Sequence, residues 1–174
     1  MTKKKSIWIL IGMVIIMAWL LGSVAQAAQT YTVKCRMTGH FPKVHSIEVG
    51  DVPDHILSVG ETVAVYSCDD GSVATGGSKF TVDLIKGSGK AQGYTLMTVE
   101  DGSTQWSKYE QTITPDPNGK TSTGKGTYEY IKGTGRFEGI RGSGTFTFKR
   151  LAPLPGAGVQ FYTDMTSTYT LPSK

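Results

Sequence analysis

From Tyr31 onward the chain nowhere carries the 3.6-residue apolar period of an amphipathic helix over three turns, whereas short runs alternating with a period of two recur between glycine-rich turns. A chain patterned this way buries its apolar faces in sheets, so the expected fold class is all-β. The first run shows the period plainly: Tyr31, Val33, Cys35 and Met37 share one face, and Thr32, Lys34 and Arg36 share the other. Further strand-like runs cover His55 to Val59, Thr62 to Cys68, Lys79 to Lys86, Gly93 to Glu100, Gln105 to Thr114, Gly124 to Ile131, Gly142 to Arg150 and Val159 to Leu171. Asp70-Gly71, Asp101-Gly102 and Asn118-Gly119 fall between runs, where a left-handed turn conformation is cheapest, and predict hairpins. That many short strands is about what a small closed antiparallel barrel requires, and closure leaves no exposed sheet edge. A two-sheet sandwich is the other architecture the pattern allows. Glycines that fall inside the runs, as in Gly142-Ser143-Gly144, mark bulges or sharp bends of a curling sheet.

The N-terminus has a different character. Lys3, Lys4 and Lys5 precede an apolar run from Ile7 to Leu21, and Ala25-Gln26-Ala27 follows, the order of a secretory signal peptide. The run falls short of the roughly 20 residues that cross a bilayer core. The expectation is a leader over 1–27, removed to leave one domain over 28–174, secreted or periplasmic, with no stable membrane anchor after cleavage. Taking the three leader lysines from 18 basic residues leaves 15 against 14 acidic ones, a net charge of +1. The basic residues are scattered among the acidic ones, so no nucleic acid is expected as a partner. Cys35 and Cys68 are the only cysteines, and an oxidising destination favours a disulfide between them over two buried thiols.

The most distinctive stretch is Gly133-Thr134-Gly135-Arg136-Phe137-Glu138-Gly139-Ile140-Arg141-Gly142-Ser143-Gly144-Thr145-Phe146, preceded by the strand Tyr128-Glu129-Tyr130-Ile131. A phosphate cradle would need a following helix, and a β-patterned run follows instead. The stretch resembles the glycine-rich signature of the allene oxide cyclase and dirigent barrel superfamily, in which a strand leads into Gly-Thr-Gly, an aromatic, Arg-Gly and the next strand. Asp83 to Tyr94 and the terminal Tyr162 to Leu171 fit the same pattern. The resemblance spans roughly Phe80 to Leu171, with specificity residing in the Gly-Thr-Gly segment. It implies a calycin-like, eight-stranded antiparallel β-barrel with a cavity at one mouth, assembled as a homodimer or homotrimer and holding small hydrophobic molecules. Some plant members cyclise an oxidised fatty acid or steer phenoxy-radical coupling, some bacterial ones close rings, and many secreted bacterial members have no assigned activity. Membership therefore selects no reaction.

The resemblance makes Arg141 the candidate for substrate handling. The family acid just after the Gly-Thr-Gly turn is replaced by Arg136, a positive charge where a carboxylate would act. Alternation puts Phe146 and Phe148 on the face opposite Arg141, so both sets point inward only if a bulge falls at Gly142 or Gly144. Asp83, inside the apolar run Phe80-Thr81-Val82-Asp83-Leu84-Ile85, and Glu129, between Tyr128 and Tyr130, alternate outward by the same count. Pointed inward beside Arg141, they would supply the minimum for proton transfer. Tyr94, Trp106, Tyr128 and Tyr130 are the candidate lining of a pocket for an apolar or aromatic ligand.

His40, His45 and His55 share one stretch with Asp51 and Asp54, but the spacing matches no standard zinc pattern. The interleaved Gly39, Pro42, Gly50 and Pro53 read as a polar surface loop. No metal and no cofactor is called for, and no hydrolase motif is legible. The expected function is a barrel that binds a small apolar or aromatic molecule. A cyclase or isomerase acting in the same cavity is the first alternative, and a structural envelope protein the second.

Overall fold

The computed structural model describes residues 29–117, 119–153 and 158–173, so the leader lies outside the described residues. Eight strands follow in chain order: β1 (Gln29–Glu48), β2 (His55–Cys68), β3 (Val73–Ile85), β4 (Ser88–Val99), β5 (Thr104–Pro115), β6 (Ser122–Gly133), β7 (Arg141–Arg150) and β8 (Gln160–Leu171). Each pairs antiparallel with the next, and β1 pairs with β8, closing the barrel. The all-β barrel is thus in place, and the sandwich is set aside.

Two boundaries differ from the sequence reading. The runs His55 to Val59 and Thr62 to Cys68 are one strand, β2, because Gly60 does not turn. It pairs with Val44 on one side and Phe80 on the other. A Cβ there would stand 2.6 Å from the Phe80 ring and 2.8 Å from the Lys43 carbonyl oxygen, so this glycine serves close packing. The stretch from His40, read as a loop, instead continues β1 as far as Glu48. Pro42 is accommodated at an irregularity between His40 and Lys43, beyond which β1 leaves β8 and pairs with β2 alone. Only residues 49–54 connect the two strands.

Gly71 and Gly102 take positive φ at the β2–β3 and β4–β5 connections, as expected, and so does Gly119 between β5 and β6, while Asn118 of the third expected turn lies outside the described residues. Lys86 and Gly87, both left-handed, make a two-residue turn between β3 and β4. Cys35 and Cys68 face each other in the β1–β2 ladder with Cα atoms 4.0 Å apart and form the disulfide.

One end of the barrel is packed solid. Between β6 and β7 the chain makes a single 3-10 turn, Gly135–Phe137, that turns Phe137 and Ile140 into the barrel end. Ile140 is 0% exposed and packs in a cluster with Phe137, Ala74, Val99 and Tyr169. Ser103 holds the plug from β5's side, its hydroxyl accepting the Arg136 backbone N–H at 3.0 Å. The glycine-rich signature is therefore the stopper of the closed end.

Candidate functional site

Above the stopper the barrel is hollow. A cavity of about 630 Å³ runs toward the end where the Lys86-Gly87 turn and the β5–β6 connection lie. Its shape follows from the alternation. Inward positions carry aromatics and methionines on β1, β2, β5, β7 and β8, but Ala91 and Gly93 on β4 and Gly124 and Gly126 on β6, so large side chains on one wall face small ones on another. Phe41 meets Phe161 at 4.9 Å between ring centres and Phe80 edge-on at 5.8 Å, while Tyr109 meets Phe146 edge-on at 5.8 Å.

Among the described residues that line the cavity, Arg150 is the one charged side chain, and it is exposed at the end of β7. The other polar liners are hydroxyls and the Gln111 amide. Thr62 and Ser78 satisfy each other at 2.8 Å. The Tyr66 hydroxyl, Thr163 Oγ1 and Gln111 Oε1 are sealed from solvent with no hydrogen-bond partner. Burial pushes the phenols up: Tyr109 to about 12, with Tyr66, Tyr128 and Tyr130 raised as well. At neutral pH they are protonated and act as hydrogen-bonding groups rather than bases.

The structure brings some of the sequence candidates to this cavity and not others. Tyr128 lines it. Tyr130 lies next to Tyr128, ring centres 5.7 Å apart, and packs against the closed-end cluster while its hydroxyl donates to Ser167 Oγ at 3.0 Å. Tyr94 and Trp106 stand on the outer face, 51% and 36% exposed. That placement corrects the expectation for both, and the reason is parity: Gly93, Thr95, Gln105 and Ser107 take the inward positions beside them.

Arg141, Asp83 and Glu129 also lie on the outer face. No irregularity interrupts the pairing of β7 with either neighbour, so Phe146 and Phe148 point inward and Arg141 outward, beside the closed end. Glu129 sits opposite Lys108 and Ser143 in the ladders. Asp83 accepts from His55 Nε2 at 2.8 Å, and Asp51 takes His55 Nδ1 at 2.6 Å. The two carboxylates raise the His55 pKa, with the Asp51 hydrogen bond the larger cause and that to Asp83 next. Arg136 lies over the Phe137 ring at 4.9 Å and 3.7 Å from Asp101, outside the cavity.

Sequence reasoning missed Tyr66, Tyr109, Thr163 and Gln111. All four follow from strict alternation once register is known, but alternation alone does not say which of several polar residues faces an unfilled space.

No family model matches the chain, and no curated protein sequence matches it. Among solved structures it is similar to the pterocarpan synthase dirigent protein GePTS1, at 14% identity and a TM-score of 0.48, covering 86% of this chain and 94% of that one. It is also similar to the pterocarpan synthase dirigent protein PsPTS1, at 12% identity and 0.47, covering 84% and 97%. A third likeness is a protein of unknown function from the DUF3224 family of Shewanella oneidensis MR-1, at 14% identity and 0.44, covering 84% and 100%.

Proposed function

We propose that this chain is an exported barrel that binds one small, predominantly apolar molecule in its cavity without converting it. The carrying observation is the hollow itself: about 630 Å³, in the size range of small-molecule sites, walled by aromatic and aliphatic side chains, with Arg150 the only charge among its described liners. Burying an apolar body there exchanges water contact for close packing, worth roughly 25 cal/mol per Å² of apolar surface. The binding reading is favoured over turnover because, Arg150 at the strand end apart, the titratable groups lining the hollow are phenols held in their neutral form. Export is supported by the leader pattern over 1–27 and by the Cys35–Cys68 bridge, which persists in an oxidising compartment.

The test pairs two measurements on the chain purified from its own host. Native mass spectrometry beside a denatured sample is expected to find a copurified small molecule. Titration with an uncharged apolar fluorophore, on protein freed of that molecule, is expected to saturate at one site per barrel. Ala91→Phe, which places a ring in the hollow from β4, is expected to abolish the saturable signal while the circular dichroism stays that of a β-barrel. A fluorophore that fails to bind, or that binds the filled variant equally well, overturns the reading.

A further inference from the structure

The outer face of the barrel is not uniform. On β7 and β8 the outward positions carry Ser143, Thr145, Thr147, Asp164, Thr166 and Thr168, the hydroxyls and charge of a wetted wall. On β2 they carry Leu57, Val59, Glu61, Val63 and Val65, and the four aliphatic ones are 37%, 55%, 52% and 52% exposed. Ile47 widens this stripe as the ladder partner of Leu57, and Val73 extends it as the partner of Ser67. From Leu57 to Val65 the stripe runs about 27 Å along the strand. Its six aliphatic residues together expose roughly 500 Å², in the upper part of the range for the largest apolar patch on a monomer. Thr38, His40 and His45 of β1 and Thr75 and Thr81 of β3 are its exposed ladder partners. With them the face reaches roughly 800 Å², one partner's share of a standard interface.

We infer that two copies of this chain meet on the outer face of β2, related by a two-fold axis that crosses the strand at Glu61. The order of residues along β2 selects a second copy as the occupant. Read outward from Glu61, the stripe gives Val59 and Leu57 in one direction and Val63 and Val65 in the other, so it matches its own reverse. With the two β2 strands antiparallel, Leu57 and Val59 of one copy lie over Val65 and Val63 of the other, the self-complementarity an isologous interface needs. Sheets stacked face to face in this way sit about 10 Å apart, where branched side chains interdigitate. The charges at the axis also suit the pairing. Glu61 holds Lys79 Nζ at 3.3 Å, and its ladder partner on the other side is Lys43. The axis therefore gathers two carboxylates among four ammonium groups, and neither acid meets the other without a cation beside it. Because β2 runs from the Lys86-Gly87 end of the barrel to the closed end, the two hollows open in opposite directions and stay accessible. The inference concerns the outer wall and does not depend on what the hollow binds.

The test is sedimentation equilibrium on the full mature chain, which is expected to weigh as two copies at micromolar concentration. Val63→Lys puts an ammonium group into the stripe at a half-exposed position, so the circular dichroism of the barrel should be kept while the dimer Kd rises about a hundredfold. Thr127→Lys, an exposed outward position on β6 across the barrel from β2, is expected to leave the Kd unchanged. Position is read by cross-linking: because Cys35 and Cys68 are bridged, Glu61→Cys supplies the one free thiol. A short bismaleimide is expected to join it to its counterpart in the other copy, and to leave Thr127→Cys unlinked. A mature chain that stays monomeric at tens of micromolar, or that assembles as a trimer, overturns the inference. So does a dimer that survives Val63→Lys, or one that both lysine variants dissociate. Dissociation by Val63→Lys without any link through Glu61→Cys overturns the two-fold arrangement. A monomer that floats with vesicles of neutral phospholipid through the same stripe gives the face to a membrane surface and overturns the second copy as its occupant.

Discussion

His55 takes both ring nitrogens to carboxylates, Asp51 from the β1–β2 connection and Asp83 from β3, with its side chain 14% exposed. Both carboxylates favour the imidazolium, so its pKa lies above the ordinary value of 6.5, and the Asp51 carboxyl is correspondingly lowered. The raised histidine contributes stability that is fully present below its unfolded pKa and is lost as pH rises through the folded one. The lowered aspartate contributes stability present above its unfolded pKa and lost as pH falls through its folded one. The clasp is therefore fully present between the ordinary values of 3.8 and 6.5 and fades outside them, above as His55 loses its proton and below as Asp51 gains one. In Asp83→Asn the His55 midpoint, followed by the shift of its ring protons in NMR, is expected to move down toward 6.5; an unmoved midpoint would refute the contact. Gly144 makes a different kind of residue-scale constraint, since a Cβ there would enter the Tyr128 ring and the Thr166 carbonyl oxygen. Gly144→Val is expected to destabilise by about 1–3 kcal/mol in urea titrations, and a smaller effect would mean that the Tyr128 ring yields freely.

At the scale of elements, the disulfide ties β1 to β2 across 33 residues of chain. Closing a loop of that length is worth about 3–4 kcal/mol in the chain-entropy account, so replacing both cysteines by serine is expected to lower the Tm by about 10 °C in calorimetry. An unchanged Tm would place the restraint in the surrounding ladder instead. These elements also mark where the sequence was readable. Strands with clean alternation, such as Tyr31 to Met37, were legible because one face is wetted and the other is not. The β1 extension was hidden because residues 42–50 are exposed throughout and carry no burial pattern, and Pro42 imitates a breaker. The Gly-Thr-Gly segment was legible as a turn, but its function as a stopper depends on Phe137 and Ile140 reaching across the barrel, which no local pattern encodes. The cavity candidates divide by parity: Tyr128 lies on the inward count, whereas Tyr94 and Trp106, aromatic like it, lie on the outward one. Arg141, the candidate by resemblance, stands on the face opposite Phe146 and Phe148 by alternation, and the structure keeps it there.

For the molecule as a whole, the closed and hollow ends carry separable properties. The buried cluster runs from Phe137, Ile140, Tyr169 and Val99 at the closed end to Tyr66 and Phe161 on the cavity wall, whereas the far end of the hollow is bordered by half-exposed residues such as Val44. Ile140 belongs to that cluster and Val44 does not, so substitutions at these two positions should add independently. Ile140→Ala removes a fully buried side chain and is expected to cost about 2–5 kcal/mol of unfolding free energy while leaving the Kd for the apolar fluorophore unchanged at low temperature. Val44→Asp alters a cavity liner that is 49% exposed, so its stability change should stay within about 0.5 kcal/mol. Its carboxylate at the cavity wall should nonetheless weaken fluorophore binding severalfold, because an apolar ligand cannot satisfy the charge. Urea unfolding and fluorophore titration on the same two variants decide the matter. If affinity and stability fall together in both, the barrel responds as one cooperative body and the division between stopper and vessel is wrong. Loss confined to stability in the first and to affinity in the second would mean that the closed end can be stabilised without altering what the open end holds.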